Sequence, residues 1–144
     1  ATEPAVRAGV PLTAAGPAAI VQRETAESQQ WAASVVKLTP LARQGDRTVK
    51  LFGTAGGDPV MNGLSTHIAF FDSPAEGWQV FRIGDVLDYH VLSESPGRVD
   101  LELDESVMDP VSGEIGSRKR RVILGWAVAA DGSVPATVAV TPAQ

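Results

Sequence analysis

Thr66-His67-Ile68-Ala69-Phe70-Phe71-Asp72, Ser73-Pro74-Ala75-Glu76-Gly77 and Trp78-Gln79-Val80-Phe81-Arg82-Ile83 are the three consecutive pieces that decide the fold of this chain. The outer two are rich in β-branched and aromatic residues and the middle one is a turn of Ser, Pro and Gly, which is how a β-hairpin is written. The chain has only four Phe, three Trp and one Tyr, and the hairpin holds four of them, so a core is expected to form here. Ile68 and Phe70 alternate with Ala69 and Phe71, apolar on both parities, which reads as a strand covered on both faces.

Outward from the hairpin the same signals recur. Val35 to Leu41 has strand composition, Gln44-Gly45-Asp46-Arg47 reads as a turn, and Thr48 to Thr54 is the return strand. Gly56-Gly57-Asp58-Pro59-Val60-Met61-Asn62-Gly63 is a dense run of turn residues leading into the central hairpin. Beyond it, Val86 to Leu92 opens another strand, Ser95-Pro96-Gly97 is a turn, and Val99-Asp100-Leu101-Glu102-Leu103-Asp104 alternates apolar with acidic along a half-buried strand. Ser106 to Ser117 reads as a second long loop. The strand after it has core parity at Val122, Leu124, Trp126 and Val128, and a last strand spans Val134 to Thr141, with Val138 and Val140 on one face.

These elements predict an all-β, single-domain fold of about eight strands, an antiparallel β-barrel or a two-sheet β-sandwich. One short helix is expected near residues 24–31, where Trp31, Val35 and Leu38 begin a helical spacing. Residues 1–19 carry Pro4, Pro11 and Pro17 with little bulk and read as an extended arm, leaving residues 20–144 as the domain. Val6, Val10 and Leu12 give the arm an apolar edge it could lend to a neighbour as an added strand.

Composition narrows the function. A net charge of −5 and a pI near 4.9 argue against a nucleic-acid partner, which calls for a positive field. The absence of cysteine removes disulfides, thiolate metal sites and a Cys nucleophile together. No apolar run approaches the about 20 residues of a membrane span. The chain opens Ala1-Thr2-Glu3-Pro4 without Met, as a product trimmed behind a signal peptide does, so a periplasmic or secreted setting is the expectation. Serines lack the Gly-x-Ser-x-Gly elbow, and neither a Walker loop nor a dinucleotide fingerprint occurs.

Chemistry-bearing residues are few. His67 and His90 are the weak candidates for a metal site, with Asp58, Met61, Asp85 or Asp88 as further ligands, but no close His-x-His or His-x-Glu-x-x-His spacing ties them together. Asp100, Glu102, Asp104, Glu105, Asp109 and Glu114 could hold calcium; their plainer use is to face Lys119 and Arg121 across an antiparallel pair. Arg118-Lys119-Arg120-Arg121 splits two and two across a strand and makes no single basic surface.

The leading expectation is therefore a non-catalytic binding or structural module of a bacterial-type cell envelope, leaning away from an enzyme. It would contact a protein or small ligand through loops 56–65 and 105–117, at Asp58, Val60, Met61, Asn62, His67, Asp109 and Glu114, and no cofactor is implied. The alternative is a small hydrolase or metal-dependent enzyme using His67 or His90 with nearby carboxylates. A third option is an assembly subunit that donates residues 1–19 as a strand.

Overall fold

A computed structural model describes residues 11–56 and 63–144, and these form a two-sheet antiparallel sandwich. The first sheet has the order β1-β2-β3-β4, with β1 Val35–Leu41, β2 Val49–Ala55, β3 Leu64–Ser73 and β4 Gly77–Val86. The second has the order β5-β6-β7-β8, with β5 Asp88–Ser95, β6 Arg98–Met108, β7 Ile115–Gly125 and β8 Ala139–Ala143. Each sheet is a meander, because within it every strand pairs antiparallel with the next strand in sequence, β8 returning to β7 after the longer connection 126–138. The chain changes sheets at Leu87, whose N–H donates to the Asp104 carbonyl at 2.7 Å.

Alternation fills the space between the sheets. Val49, Leu51, Ile68 and Phe70 from one side meet Tyr89, Leu101, Leu103, Val122 and Leu124 from the other, all buried. Phe70 stands edge-on to Phe81 and to Trp126, with centroids 5.7 and 5.2 Å away. A sandwich rather than a barrel results because, among the described residues, no backbone ladder joins the sheets. Side chains close the seam between β1 and β5 instead. Lys37 donates to Asp88 at 2.6 Å and to the Tyr89 carbonyl, and Tyr89 Oη lies 2.8 Å from Thr39 Oγ1. At the next turn Glu94 accepts from the Ala42 and Arg43 amides and from the buried Gln44.

Several boundaries differ from the sequence reading. The helix α1 spans Glu27–Ala32, and none of its residues is buried. Half of the expected loop from Ser106 to Ser117 is ladder. Ser106 pairs with Ser117 and Met108 with Ile115, so the reversal is confined to residues 109–114. β7 stops at Gly125 because its β6 partner there, Arg98, is the first residue of that strand. Trp126 still packs on the core, but Val128 is exposed. The last strand begins at Ala139 rather than Val134; Pro135 has no N–H to give a ladder, and Val134 and Val138 pack against the core from outside the sheet. β3 is buried along its core side and, on its outer side, at Ala69. Its outer parity holds His67, Ala69 and Phe71, and Phe71 reaches solvent.

Two glycines set the shape of the turns. Gly63 enters β3 so close to the sheet crossing that a Cβ would stand 2.1 Å from the Val86 carbonyl oxygen. Gly97, at φ 75°, makes the β5–β6 turn that leaves room for the Trp126 carbonyl.

Candidate functional site

The two outer faces of the sandwich have opposite characters. On the second sheet, β6 presents Asp100, Glu102 and Asp104 outward, and each meets a cation. Lys119 lies 3.1 Å from Asp104 and 3.4 Å from Glu102, Arg121 lies 3.5 Å from Glu102, and Arg98 lies 2.8 Å from Asp100. The hydrogen bond and charge of Asp104 push the Lys119 ammonium up, and the hydrogen bond from Arg98 holds the Asp100 carboxyl below the usual range. The basic run splits as a strand requires, with Arg118 and Arg120 sharing Glu105 on the other parity.

His90 belongs to this charged face. Its Nε2 lies 3.6 Å from Asp88 Oδ2 and 3.5 Å from Asp104 Oδ2, and the three groups are near enough to share a cation. Each carboxylate, however, already gives its other oxygen to a lysine, Asp88 to Lys37 and Asp104 to Lys119. For Asp88, burial pushes the carboxyl up, but the hydrogen bonds from Lys37 and the Tyr89 amide and the charges of Lys37 and His90 together bring it below its ordinary value.

The outer face of the first sheet is built differently. Register places Leu38, Phe52, His67 and Arg82 in one row across the four strands, and Pro40, Lys50, Ala69 and Val80 in the next. Phe71 opposite Trp78 begins a third row, with ring centroids 5.3 Å apart. Lys50 Nζ sits 4.1 Å over the Trp78 ring. The His67 ring stacks on Phe52 at 5.2 Å, and its Nδ1–H donates to the Ser65 carbonyl at 3.2 Å. Val36, Leu38 and Val80 are 60%, 55% and 51% exposed, and Trp78 38%. The face has one internal ion pair, Arg82 with Asp85, and the Arg82 hydrogen bond lowers the Asp85 carboxyl.

The residues singled out in the sequence fall in several places. Asp58, Val60, Met61 and Asn62 lie outside the described residues. His67 is on the outer face of β3 between the buried Thr66 and Ile68, and His90 is on that of β5 between the buried Tyr89 and the half-buried Val91, so the core separates the two histidines and they share no site. Asp109 and Glu114 stand at the tip of the β6–β7 hairpin. There Asp109 Oδ1 accepts from the amides of Val111 and Ser112, bonds that lower its carboxyl, and its own N–H donates to the Glu114 carbonyl. Asp109 thus forms the turn that carries it. Ser34-Val35-Val36-Lys37 has the Ser-x-x-Lys spacing. Ser34 Oγ donates to the Trp31 carbonyl and Lys37 is held by Asp88, so the two do not form a nucleophile and base.

The sequence reading missed Val36, Leu38, Trp78 and Val80 as a surface. The signal that could have found them is parity: in β4, Trp78, Val80 and Arg82 share one side while Gln79, Phe81 and Ile83 share the other. No known protein family matches the chain, and neither the curated proteins nor the solved structures contain a match to it. Among the described residues, no helix is long and apolar enough to cross a membrane.

Proposed function

We propose that this protein is a non-catalytic binding module whose contact surface is the outer face of β1 to β4. The observation that carries the reading is the contrast between the two faces. The second sheet pairs its charges with one another around Leu92 and Ile123, whereas the first leaves Leu38, Trp78 and Val80 uncovered in adjoining rows, with Lys50 and Arg82 among them. The partner that fits is a polypeptide segment with an apolar stripe and acidic flanks. Its apolar side chains would cover the rows centred on Phe52 and Ala69, and its carboxylates would meet Lys50 and Arg82. This moves the expected contacts from the loops to a sheet face.

The test is selection of peptides from a random library on the immobilised protein, with binding then measured to three variants. Val80→Asp and Leu38→Asp change the proposed face, and Ile123→Asp changes the outer face of β7. Loss of binding in the first two with retention in the third is the expected result. Peptides that bind all three equally would sink the reading.

A second reading, a metal-dependent enzyme, has one observation in its favour, the convergence of Asp88, His90 and Asp104. The lysines paired with both carboxylates weigh against it, because Lys37 and Lys119 already offset the negative charge that would draw a cation to the remaining oxygens.

A further inference from the structure

The surface left uncovered on the first sheet has a counterpart in the same chain. Every residue from Pro11 to Ala33 is exposed, and this segment carries large apolar side chains that stand open to solvent: Leu12 is 99% exposed, Ile20 84%, Val21 89% and Trp31 70%. The helix α1 has six residues and no buried side chain, and its one side-chain link, Trp31 Nε1 to Glu27 Oε1 at 3.2 Å, runs along its own surface. A helix this short gains almost nothing by itself in water, so its persistence calls for a surface to lie on.

We infer that the protein self-associates, residues 11–33 of one copy lying across the outer face of β1 to β4 of a second copy. The inference rests on the reading of that face as the contact surface and names its occupant. The chemistry is complementary in two ways. The segment offers an apolar set, Leu12, Ile20, Val21 and Trp31, to an apolar face, and it brings Glu24 and Glu27 to a face whose Lys50 has its ammonium on an aromatic ring and no carboxylate partner among the described residues. Area agrees with the arrangement. With on the order of 150–200 Å² for a fully exposed large side chain, the segment uncovers about 600 Å² and the face about 400 Å². Two reciprocal seats then bury roughly 2,000 Å², the upper end of the about 1,200–2,000 Å² of a stable interface, while one seat, at roughly 1,000 Å², falls short of that range and supports only weak association. Reciprocal exchange between two copies, closed by a two-fold axis, is the arrangement that uses both surfaces of both chains.

The experiment is sedimentation equilibrium of the full chain, supported by native mass spectrometry. The wild type is compared with a segment variant, Val21→Asp with Trp31→Asp, and a face variant, Leu38→Asp with Val80→Asp. All four positions are exposed, and unchanged amide spectra with a cooperative thermal transition establish that the variants remain folded, the melting temperature itself falling as the dimer is lost. The expected result is a wild-type dimer, a dissociation constant at least about 100-fold weaker in each variant alone, and recovery of a mixed dimer when the two variants are combined, since that pair retains one intact seat. A wild type that stays monomeric to about 100 μM overturns the inference. So does a dimer that the segment variant leaves unchanged; if the face variant still abolishes it, the contact surface stands and only its occupant was wrong. Loss in both variants without recovery on mixing also overturns it, because the segment would then cover its own sheet.

Discussion

Replacing Thr66 by valine should stabilise this protein. Thr66 lies on the core side of β3, fully buried, and its Oγ1 has no hydrogen-bond partner among the described residues. Its cross-strand neighbours are Gly53 and Gly84, so neither adjacent strand offers a side chain to the hydroxyl. In the unfolded chain water satisfies that oxygen; on folding it loses the water and gains nothing, a cost of about 1–3 kcal/mol. Valine keeps the branched shape and the strand preference, and puts a methyl where the hydroxyl was, which adds transfer free energy of up to about 0.8 kcal/mol. Allowing for local relaxation, the net gain should be about 1–2 kcal/mol, which raises the melting temperature by roughly 4–8 °C for a chain of this size. Urea denaturation followed by fluorescence measures it: the midpoint should rise with the slope unchanged. Thr66→Ser, which keeps the hydroxyl and deletes the methyl, should lose about 1 kcal/mol and shows that the site responds to volume in the ordinary way. A valine variant less stable than wild type by 1 kcal/mol or more would refute the reasoning, since the hydroxyl would then have a partner worth keeping.

Three further outcomes follow from the same geometry. Gly63→Ala puts a Cβ 2.1 Å from the Val86 carbonyl oxygen and 2.7 Å from Leu87 Cα, both main-chain atoms, so the sheet crossing must shift; a loss of about 3 kcal/mol or more is expected in the urea midpoint. The Asp88 carboxyl titrates below its ordinary value in the folded protein, so the stability it lends is complete above about pH 4 and is lost as pH falls through the lowered folded value. Lys37→Met should cost about 0.5–1 kcal/mol at pH 7, both partners being about a third exposed, and should move the acid-unfolding midpoint upward; an unmoved midpoint would count against the pair. Zinc at about 100 μM should change the melting temperature by less than about 1 °C, whereas a site of about 1 μM affinity would add about 2.7 kcal/mol; a rise of several degrees that disappears in His90→Gln would revive the metal reading.

How far the sequence speaks depends on whether alternate positions differ. Val99-Asp100-Leu101-Glu102-Leu103-Asp104 contrasts apolar with acidic at every step, so its face, its burial and its pairing with Lys119 and Arg121 could all be read before any coordinates. β3 gives no such contrast. Ala69 and Phe71 are as apolar as Ile68 and Phe70, and the rule that two apolar faces mean two covering layers holds at Ala69, which is buried, and fails at Phe71, which reaches solvent. Strand ends depend on partners rather than on propensity, which is why Val128 lost its place when β6 ran out at Arg98, and why Ser106 to Met108 gained one opposite Ile115 to Ser117. The histidines could be located on strands but not on sheets, since the crossing at Leu87 that sends His67 and His90 to opposite sides is a tertiary event.

The same contrast argues for where the protein's specificity lies. A sheet face that has to meet only water can pair its charges along its own ladder, as Asp100, Glu102 and Asp104 do with Arg98, Arg121 and Lys119. Nothing in that requirement explains Trp78, Val80 and Leu38 in rows on the other face, or Trp31 on a helix that touches no core. Single exposed apolar residues need no cause, but a contiguous face together with an equally uncovered segment does, because each lowers the solubility that a charge of −5 otherwise provides. Mutual covering of the two removes both exposures at once and requires no molecule other than the chain itself.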